Sequence, residues 1–443
     1  MIDAVAQHHT ARGGQWPRPR TSTWPSAIAF ERRPIRTLER RHVNAGLFPL
    51  TSLIAGRMLV VSDPGLAREI LRAPPGRYLA GAANRRMLPL LPSNTVLTLD
   101  GLSHRERRSQ LAHLFSGARL SSLAEQISGI VSRELDSWPV GQAFAVLPRL
   151  RSLTFNIAAR LILGLSDGPK LARLEHDLTS ALKPYAILSG HRRLRHLGGA
   201  SPQAAAARGH VRFARALDEV MEGAELPWEA DEIFALLLAG QDTTATALAW
   251  ALIQLAHLPA VARTLAQQSA AGDHAGRDAV IHETLRLHPP LIDIVRQPAE
   301  TVSLAGQPIP GGSLLMICPA LIGRSPLHTD PWQFQADRFL GRHPDPSGWV
   351  PFGGGERRCL GAPLAMLELR AVVTQVLERF QLSPGQPTLE QPRLHGTAVV
   401  PSRGGQLNLT LQLAEKRPQR GSYSGAAAIT RNRAAGSEGQ RFQ

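Results

Sequence analysis

Apolar residues recur at intervals of three and four from about residue 104 to residue 260, in stretches rich in Ala, Leu, Arg and Glu. This spacing predicts amphipathic helices. The longest of them is predicted from about residue 231 to 257, because Pro259 follows and ends the pattern. At 1.5 Å per residue this helix is roughly 40 Å long and has to cross a whole domain. The central part of the chain is therefore predicted to be mainly α-helical.

Short strand-like segments flank this helical part. Residues 48–61 alternate between apolar and polar around a glycine, which predicts a hairpin. Ser62 or Asp63 is then predicted to cap a helix, with Pro64 in its first turn. Later, strand-like pieces at 301–304 and 313–317 lie among Pro- and Gly-rich turns. The pattern favours a mainly α fold with small β-sheets.

The last part of the chain is also predicted to combine a helix with short strands. A helix is predicted at 362–380 and a strand pair at about 393–413. No internal repeat is present. We expect an irregular segment at 1–25, one domain at 26–414, and a basic, disordered tail at 415–443, because the tail is rich in Gly, Ser, Ala and Arg.

The charge balance is strongly positive, at +15 for 443 residues, with 50 Lys and Arg against 35 Asp and Glu. Such a balance can indicate nucleic acid, an anionic membrane or an acidic protein partner. Aromatic residues are only 5% and no zinc-finger or RNA-binding motif is present, which argues against nucleic acid. No run approaches the ~20 apolar residues of a membrane span. Two cysteines, Cys318 and Cys359, suggest a reducing compartment, so a soluble, cytoplasmic protein is expected.

Residues 352–361 combine a run of three consecutive glycines, two arginines and Cys359 directly before a predicted helix. The helix N-terminus and the arginines favour a thiolate, which could act as a nucleophile or as a metal ligand. A phosphate-binding loop is a further alternative, but no Gly-Lys-Ser/Thr follows. A nucleophilic cysteine requires a base, and no local histidine is placed to act as one. A purely structural loop also stays open at this point.

The fixed positions of this segment decide among these alternatives. Phe352, Gly355, Arg357, Cys359 and Gly361 match the pattern Phe-x-x-Gly-x-Arg-x-Cys-x-Gly. The segment resembles the haem-binding loop of the cytochrome P-450 monooxygenases. The resemblance implies that Cys359 is the haem iron ligand and that Arg357 reaches a haem propionate. A thiolate ligand of this kind pushes electron density onto the iron and favours O–O cleavage.

A second motif lies in the middle of the long predicted helix, at 239–244, where Gly240 precedes four polar residues among Leu and Ala. A kinked core helix, with threonines bonded back to carbonyls, would explain it. Gly240 and Thr243 also share a face, and the missing side chain leaves room for a flat cofactor. The stretch is similar to the oxygen-activation motif of the family, which implies proton delivery by Asp242 and Thr243, with Thr244 as the alternative.

A third motif places His104 and Arg108 four residues apart, on one side of a predicted helix. Alone, it is typical of a solvated basic helix, although two converging cations also suit carboxylates. It resembles the family's His-x-x-x-Arg propionate clamp, and Arg296 matches another propionate contact of the family.

A fourth motif, Glu283-Thr284-Leu285-Arg286, would by itself be an exposed ion pair of little consequence. It resembles the Glu-x-x-Arg of the family, with Arg338 as the third member. The resemblance implies a buried structural network behind the cysteine loop.

Together these motifs imply a single-domain cytochrome P-450 fold with haem b between the long central helix and the cysteine loop. The implied reaction inserts one atom of O2 into a small, largely apolar organic substrate. Electrons are expected from NAD(P)H through a ferredoxin and its reductase, since the chain has no flavin or iron–sulfur segment. Alternatives are a haem-thiolate enzyme that uses peroxide or couples or rearranges substrates, and a non-catalytic haem protein.

Two further expectations concern surfaces. The interval 190–231 is short for the helices that the family places before the long one, so the roof of the substrate pocket is expected to be reduced. Arg105, Arg107 and Arg358 are expected to face solvent on the cysteine side, where an acidic ferredoxin would be attracted.

Overall fold

The computed structural model describes residues 23–42, 46–52, 55–88, 91–165, 168–186, 202–221 and 228–412. These residues form fourteen α-helices: α1 Thr23–Arg32, α2 Pro34–His42, α3 Pro64–Leu71, α4 Ala80–Met87, α5 Gly101–Ala112, α6 Gly117–Asp136, α7 Val146–Leu163, α8 Pro169–Ala186, α9 Pro202–Met221, α10 Ala230–His257, α11 Pro259–Ala270, α12 Ala275–Leu287, α13 Pro319–Ile322 and α14 Ala362–Arg379.

The same residues contain twelve short strands: β1 Leu47–Ser52, β2 Gly56–Val61, β3 Tyr78–Leu79, β4 Phe144–Ala145, β5 Ile294–Pro298, β6 Val302–Leu304, β7 Gln307–Ile309, β8 Leu315–Ile317, β9 Phe380–Pro384, β10 Pro392–His395, β11 Ala398–Pro401 and β12 Gln406–Leu411. The predicted mainly α architecture with small β-sheets is confirmed.

Helix α10 is the long helix that the sequence predicted. Asp231 and Glu232 stand in its first turn and His257 in its last, an arrangement that suits the helix dipole. Leu258 ends it ahead of Pro259, and every residue from 244 to 256 is buried. It packs against α7 and α14. By length and hydropathy α10 could cross a membrane, and 67% of its most apolar 18-residue window is buried inside the protein.

The largest sheet lies beside this helical core. Its strand order is β1-β2-β8-β5-β3. The predicted hairpin is its first pair, with Leu47 opposite Val61 and Ser52 opposite Gly56. Strand β8 adds to β2 in parallel. The predicted cap at α3 is also present, since Asp63 Oδ1 accepts a hydrogen bond of 2.8 Å from Leu66 N.

Three details differ from the expectations. Helix α1 begins at Thr23, inside the segment that was expected to be irregular. Helix α9 begins at Pro202 and runs for 20 residues, so this part of the chain does carry helices ahead of α10. Strand β12 pairs with β9 and β4 rather than only with a neighbour in the chain. The expected tail lies outside the described residues.

Candidate cofactor site

The cysteine loop is a tight turn that depends on its glycines. Gly353 and Gly355 have φ of 66° and 65°, in the left-handed region that favours glycine. A Cβ at Gly355 would lie 2.0 Å from the carbonyl oxygen of Leu71 at the end of α3. The turn closes where Cys359 N donates to Phe352 O at 2.9 Å. Glycine at 355 therefore lets α3 and the loop approach closely and sets the position of Cys359.

Cys359 stands three residues before the start of α14, and its side chain is exposed. Burial nevertheless raises the pKa of its thiol above the ordinary value, while the backbone amides of Gly361 and Ala362 and the charge of Arg108 lower it. The Cys359 side chain is thus accessible to solvent although protein surrounds it, which means that it lines an internal cavity. Cys318 differs, because it lies in the apolar core and burial raises the pKa of its thiol to about 12.

An opening in α10 provides a second wall. Residues 233–237 and 244–256 are buried, whereas Ala239 between them is exposed and Gly240 and Thr243 are partly exposed. Ala239 and Thr243 are four apart and share a face. A Cβ at Gly240 would meet one atom within 4 Å, Ala158 Cβ at 3.5 Å. The middle of an otherwise buried helix therefore faces open space, which is compatible with the predicted role of this motif.

The polar residues of this stretch have separate partners. Thr243 Oγ1 donates to the Ala239 carbonyl oxygen at 2.7 Å. Asp242 Oδ1 accepts a hydrogen bond of 2.6 Å from Arg151 Nε on α7, in a partly exposed ion pair. Thr244 is buried, and its hydroxyl bonds to a carboxyl group from α14. The open position is therefore Thr243, and Asp242 is held on another side of the helix.

That carboxyl group belongs to Glu368, which the sequence analysis missed. Glu368 is buried, and burial raises its pKa well above the ordinary value. The contact between Glu368 and Thr244 ties α14, which follows the cysteine, to α10. The sequence does hold a sign of it, since Leu364, Glu368 and Val372 are four apart on one buried face of α14. An acid on such a face requires a buried partner.

Four basic side chains from three segments come together beside the loop. His104 and Arg108 lie on α5, Arg296 on β5 and Arg357 in the cysteine loop. They are close enough that burial, then Arg357 and Arg108, lower the pKa of His104 to about 4. Burial and Arg357 likewise lower the pKa of Arg296 to about 10. A protein that buries this much positive charge in one place requires negative charge beside it.

Among the described residues, the Asp100 carboxylate forms an ion pair with this cluster, and the Glu356 carboxylate lies within electrostatic range of Arg296 and Arg357. Arg357 Nη2 donates to Asp100 Oδ1 at 2.9 Å and also to the carbonyl of Leu99. Arg296 donates to the carbonyl of its neighbour Val295 at 2.8 Å. His104 is 1% exposed, and its Nδ1 has no hydrogen-bond partner among the described residues. The cluster thus offers donors that await an anionic group.

Haem fits these residues. Its two propionates would accept hydrogen bonds from His104, Arg108, Arg296 and Arg357, and the exposed Cys359 sulfur would hold the iron. Phe352, the first residue of the cysteine motif, packs edge-on against Trp349 with ring centroids 5.8 Å apart. The aromatic pair supports the base of the loop.

One expected surface residue lies elsewhere. Arg107 Nη1 donates to Glu232 Oε2 at 2.5 Å, and its side chain is only 17% exposed. Glu232 is fully buried at the start of α10 and also accepts from Val96 N at 3.1 Å. The prediction that Arg107 belongs to the docking surface is therefore wrong, because its ion pair with Glu232 connects α5 to the long helix. Arg105 and Arg358 are exposed, as expected.

This chain is similar to known proteins in sequence and in fold. The family described as Cytochrome P450 matches residues 229–409. The protein named cytochrome P450 135B1 of Mycobacterium tuberculosis is 34% identical to this chain. The alignment is 440 positions long and covers 90% of this chain and 92% of the relative. Cytochrome P450 138 of the same organism is 30% identical, over 86% of this chain and 92% of that relative.

Solved structures show the same fold. Retinoic acid bound cyanobacterial CYP120A1 has a TM-score of 0.72 at 22% identity, covering 84% of this chain and 93% of that chain. CYP175A1 from Thermus thermophilus has a TM-score of 0.72 at 24% identity, covering 88% of this chain and 98% of that chain. The relative that is 34% identical over nearly the whole chain decides the family. This chain therefore belongs to the cytochrome P450 family of haem-thiolate monooxygenases.

Proposed function

We propose that this chain inserts one oxygen atom of O2 into a small, largely apolar organic substrate, using haem b held by Cys359 and electrons from separate proteins in the cytoplasm. One observation carries the proposal: the exposed Ala239–Thr243 face interrupts a helix that is otherwise buried. A haem protein that only stored or sensed a ligand would not require an alcohol at this opening. When bound, the haem supplies the iron at which dioxygen is reduced and activated.

In this proposal the basic cluster binds and orients the cofactor. Arg108, Arg296 and Arg357 donate to the propionates through charge-assisted hydrogen bonds. With its pKa near 4, His104 is neutral at physiological pH, so the tautomer protonated on Nδ1 donates one further hydrogen bond. Asp100 keeps Arg357 in place from the other side.

Thr243 and Asp242 have the proton-delivery roles in this proposal. The Thr243 hydroxyl donates its proton to the Ala239 carbonyl oxygen. The lone pairs of the hydroxyl oxygen can then accept a hydrogen bond from a water molecule in the opening, and such a water can carry a proton. Asp242 is held by Arg151, so it must leave that ion pair before it can pass a proton inwards. The ion pair is partly exposed, which keeps the cost of such an exchange small.

Thr243→Ala tests this assignment. We expect the variant to bind haem and to consume NAD(P)H, because neither requires the hydroxyl. The yield of product per reductant should fall about 10-fold or more, with the difference appearing as hydrogen peroxide. Thr246→Ala is the matched control, since it removes from the same helix a buried hydroxyl that has no hydrogen-bond partner among the described residues. A defect in Thr244→Ala with normal coupling in Thr243→Ala would move the site to Thr244.

The electron donor is proposed to be an acidic ferredoxin, supplied by its reductase, that docks near Arg105 and Arg358. Both are exposed, and charge attraction between exposed groups is screened over about 8–10 Å at physiological salt. Arg358→Glu should slow reduction by a ferredoxin several-fold at low salt and leave the spectrum of the carbon monoxide complex unchanged. Stopped-flow reduction across a salt series measures this.

The basic tail serves as the control for this experiment. Residues 416–443 carry six Lys and Arg against one Glu and could attract an anionic partner by themselves. Removing them should change the rate of reduction much less than Arg358→Glu does. If tail removal abolishes the salt dependence while Arg358→Glu preserves it, the donor docks elsewhere.

A further inference from the structure

A surface groove of about 460 Å³ lies between α3 and β3 and contains none of the residues that form the cofactor site. Its lining comes from α3, the turn that follows it and the start of β3. The residues are Gly65, Arg68, Glu69, Arg72, Ala73, Pro74, Arg77 and Tyr78. Three guanidinium charges against one carboxylate leave this groove with a net charge of +2.

The charges in the groove are not neutralised locally. Arg68 on α3 and Arg72 at its C-cap are exposed and four residues apart, and neither guanidinium group forms a hydrogen bond or ion pair within the part of the chain that the structure describes. Glu69 likewise forms no ion pair within 4.0 Å there. Asp345 lies within electrostatic range of Arg68 and Arg72 but does not contact them as an ion pair. The arginines therefore present free donors to the groove.

Tyr78 adds a buried donor. Its side chain is 8% exposed, and burial raises the pKa of its hydroxyl above the ordinary value. Two charged groups act on it: the Arg77 guanidinium, which lies 5.9 Å from the ring centroid, and the Glu69 carboxylate, which adds to the rise in the pKa of Tyr78 without contacting its hydroxyl. Arginine can only donate hydrogen bonds. The Tyr78 proton consequently has no acceptor among the described residues. A buried hydroxyl in this state lacks an acceptor that a bound anion would supply.

We propose that this groove is a binding site for a phosphate ester. A phosphate monoester carries a charge of −1.5 to −2 at neutral pH, which matches the net charge of the groove. Its three oxygens accept the paired N–H groups of guanidinium side chains and one hydroxyl proton. The volume exceeds what a single phosphate fills and lies within the range of about 300–1,000 Å³ seen for small-molecule sites. The remaining space is therefore for the organic part of the ester.

The full-length, haem-loaded protein is titrated calorimetrically with inorganic pyrophosphate at ionic strength held constant with sodium chloride. We expect saturable binding at one site. Arg68→Ser with Arg72→Ser should weaken it at least about 10-fold, since each charge-assisted hydrogen bond contributes about 1.5–3 kcal/mol. Tyr78→Phe should weaken it several-fold, and it leaves the fold intact because it removes a hydroxyl that lacks an acceptor.

Arg36→Ser with Arg40→Ser is the matched control, because these two arginines are also exposed and four apart, on α2. Equal loss in this control, or binding that does not saturate, would show general attraction to a basic protein and overturn the proposal. The source of the ester is separated by two probes, glycerol phosphate in solution and phosphatidylcholine vesicles with and without phosphatidic acid. A lipid source requires vesicle binding that depends on phosphatidic acid and on Arg68 and Arg72.

Discussion

Cys359→Ser is expected to abolish the absorption band that the reduced carbon monoxide complex of a thiolate-ligated haem displays, and turnover with it. Serine keeps the size and position of the side chain, but its oxygen does not supply the thiolate that donates electron density to the iron. The cysteine loop should still form, because its geometry rests on Gly353, Gly355 and the bond from residue 359 N to Phe352 O. The difference spectrum of the purified, reduced variant with and without carbon monoxide measures the loss.

Cys318→Ser is the control for this experiment, since it makes the same atomic change at the other cysteine. Cys318 is fully buried among apolar residues, so the new hydroxyl should cost stability, about 1–3 kcal/mol, without affecting the haem spectrum. If the two variants retain or lose the band together, Cys359 is not the ligand.

The elements that could be predicted from the sequence are those whose determinants are local. Helix α10 begins at Ala230 and ends at His257, within one residue of the expected bounds, because apolar periodicity and Pro259 both act over a few residues. The hairpin of β1 and β2 and the Asp63 cap of α3 follow from similarly short patterns. These determinants are contained in the segment itself.

The start of α9 shows why other elements escaped prediction. Helix α9 begins at Pro202 and carries Gly209 in its interior, although glycine is unfavourable inside a helix. A Cβ there would lie 2.6 Å from Ala181 Cα on α8. Glycine is thus required at 209 because α8 and α9 approach closely there. The sequence of α9 by itself does not show that α8 lies so close. Strand β12 is similar, since its partners β9 and β4 are distant in the chain.

The candidate site divides in the same way. The cysteine loop could be found because Phe352, Arg357 and Cys359 stand within eight residues. The pairing of Arg107 with Glu232 could not, because the two residues are 125 positions apart. Arg107 and its exposed neighbour Arg105 lie in the same polar stretch of α5, and this stretch alone does not distinguish them. Arg107 forms a partly buried ion pair, whereas Arg105 is exposed, because Glu232 at the start of α10 lies beside Arg107.

Glu283→Gln is expected to destabilise the protein by about 3–5 kcal/mol, because it removes the only carboxylate that contacts two buried guanidinium groups in this part of the described structure. Glu283 is fully buried and accepts from Arg286 Nε at 2.7 Å and from Arg338 Nε at 3.0 Å. Its Oε1 also accepts from Gln335 N at 2.8 Å, which fastens α12 to the segment leading to the cysteine loop. Such a loss is a large part of the roughly 5–15 kcal/mol that stabilises an ordinary protein.

Asp278→Asn provides the comparison on the same helix. Asp278 bonds Arg277 at 2.8 Å and Arg370 at 3.0 Å, but its side chain is 29% exposed, so water replaces the lost contacts and the cost should stay near 0–1 kcal/mol. The urea midpoint and the haem retained after gel filtration are measured for both variants. Glu283→Gln should lower both values and Asp278→Asn neither, since only the first leaves charges buried without a partner. Equal midpoints for the two variants would mean that the network behind the cysteine loop does not hold it in place.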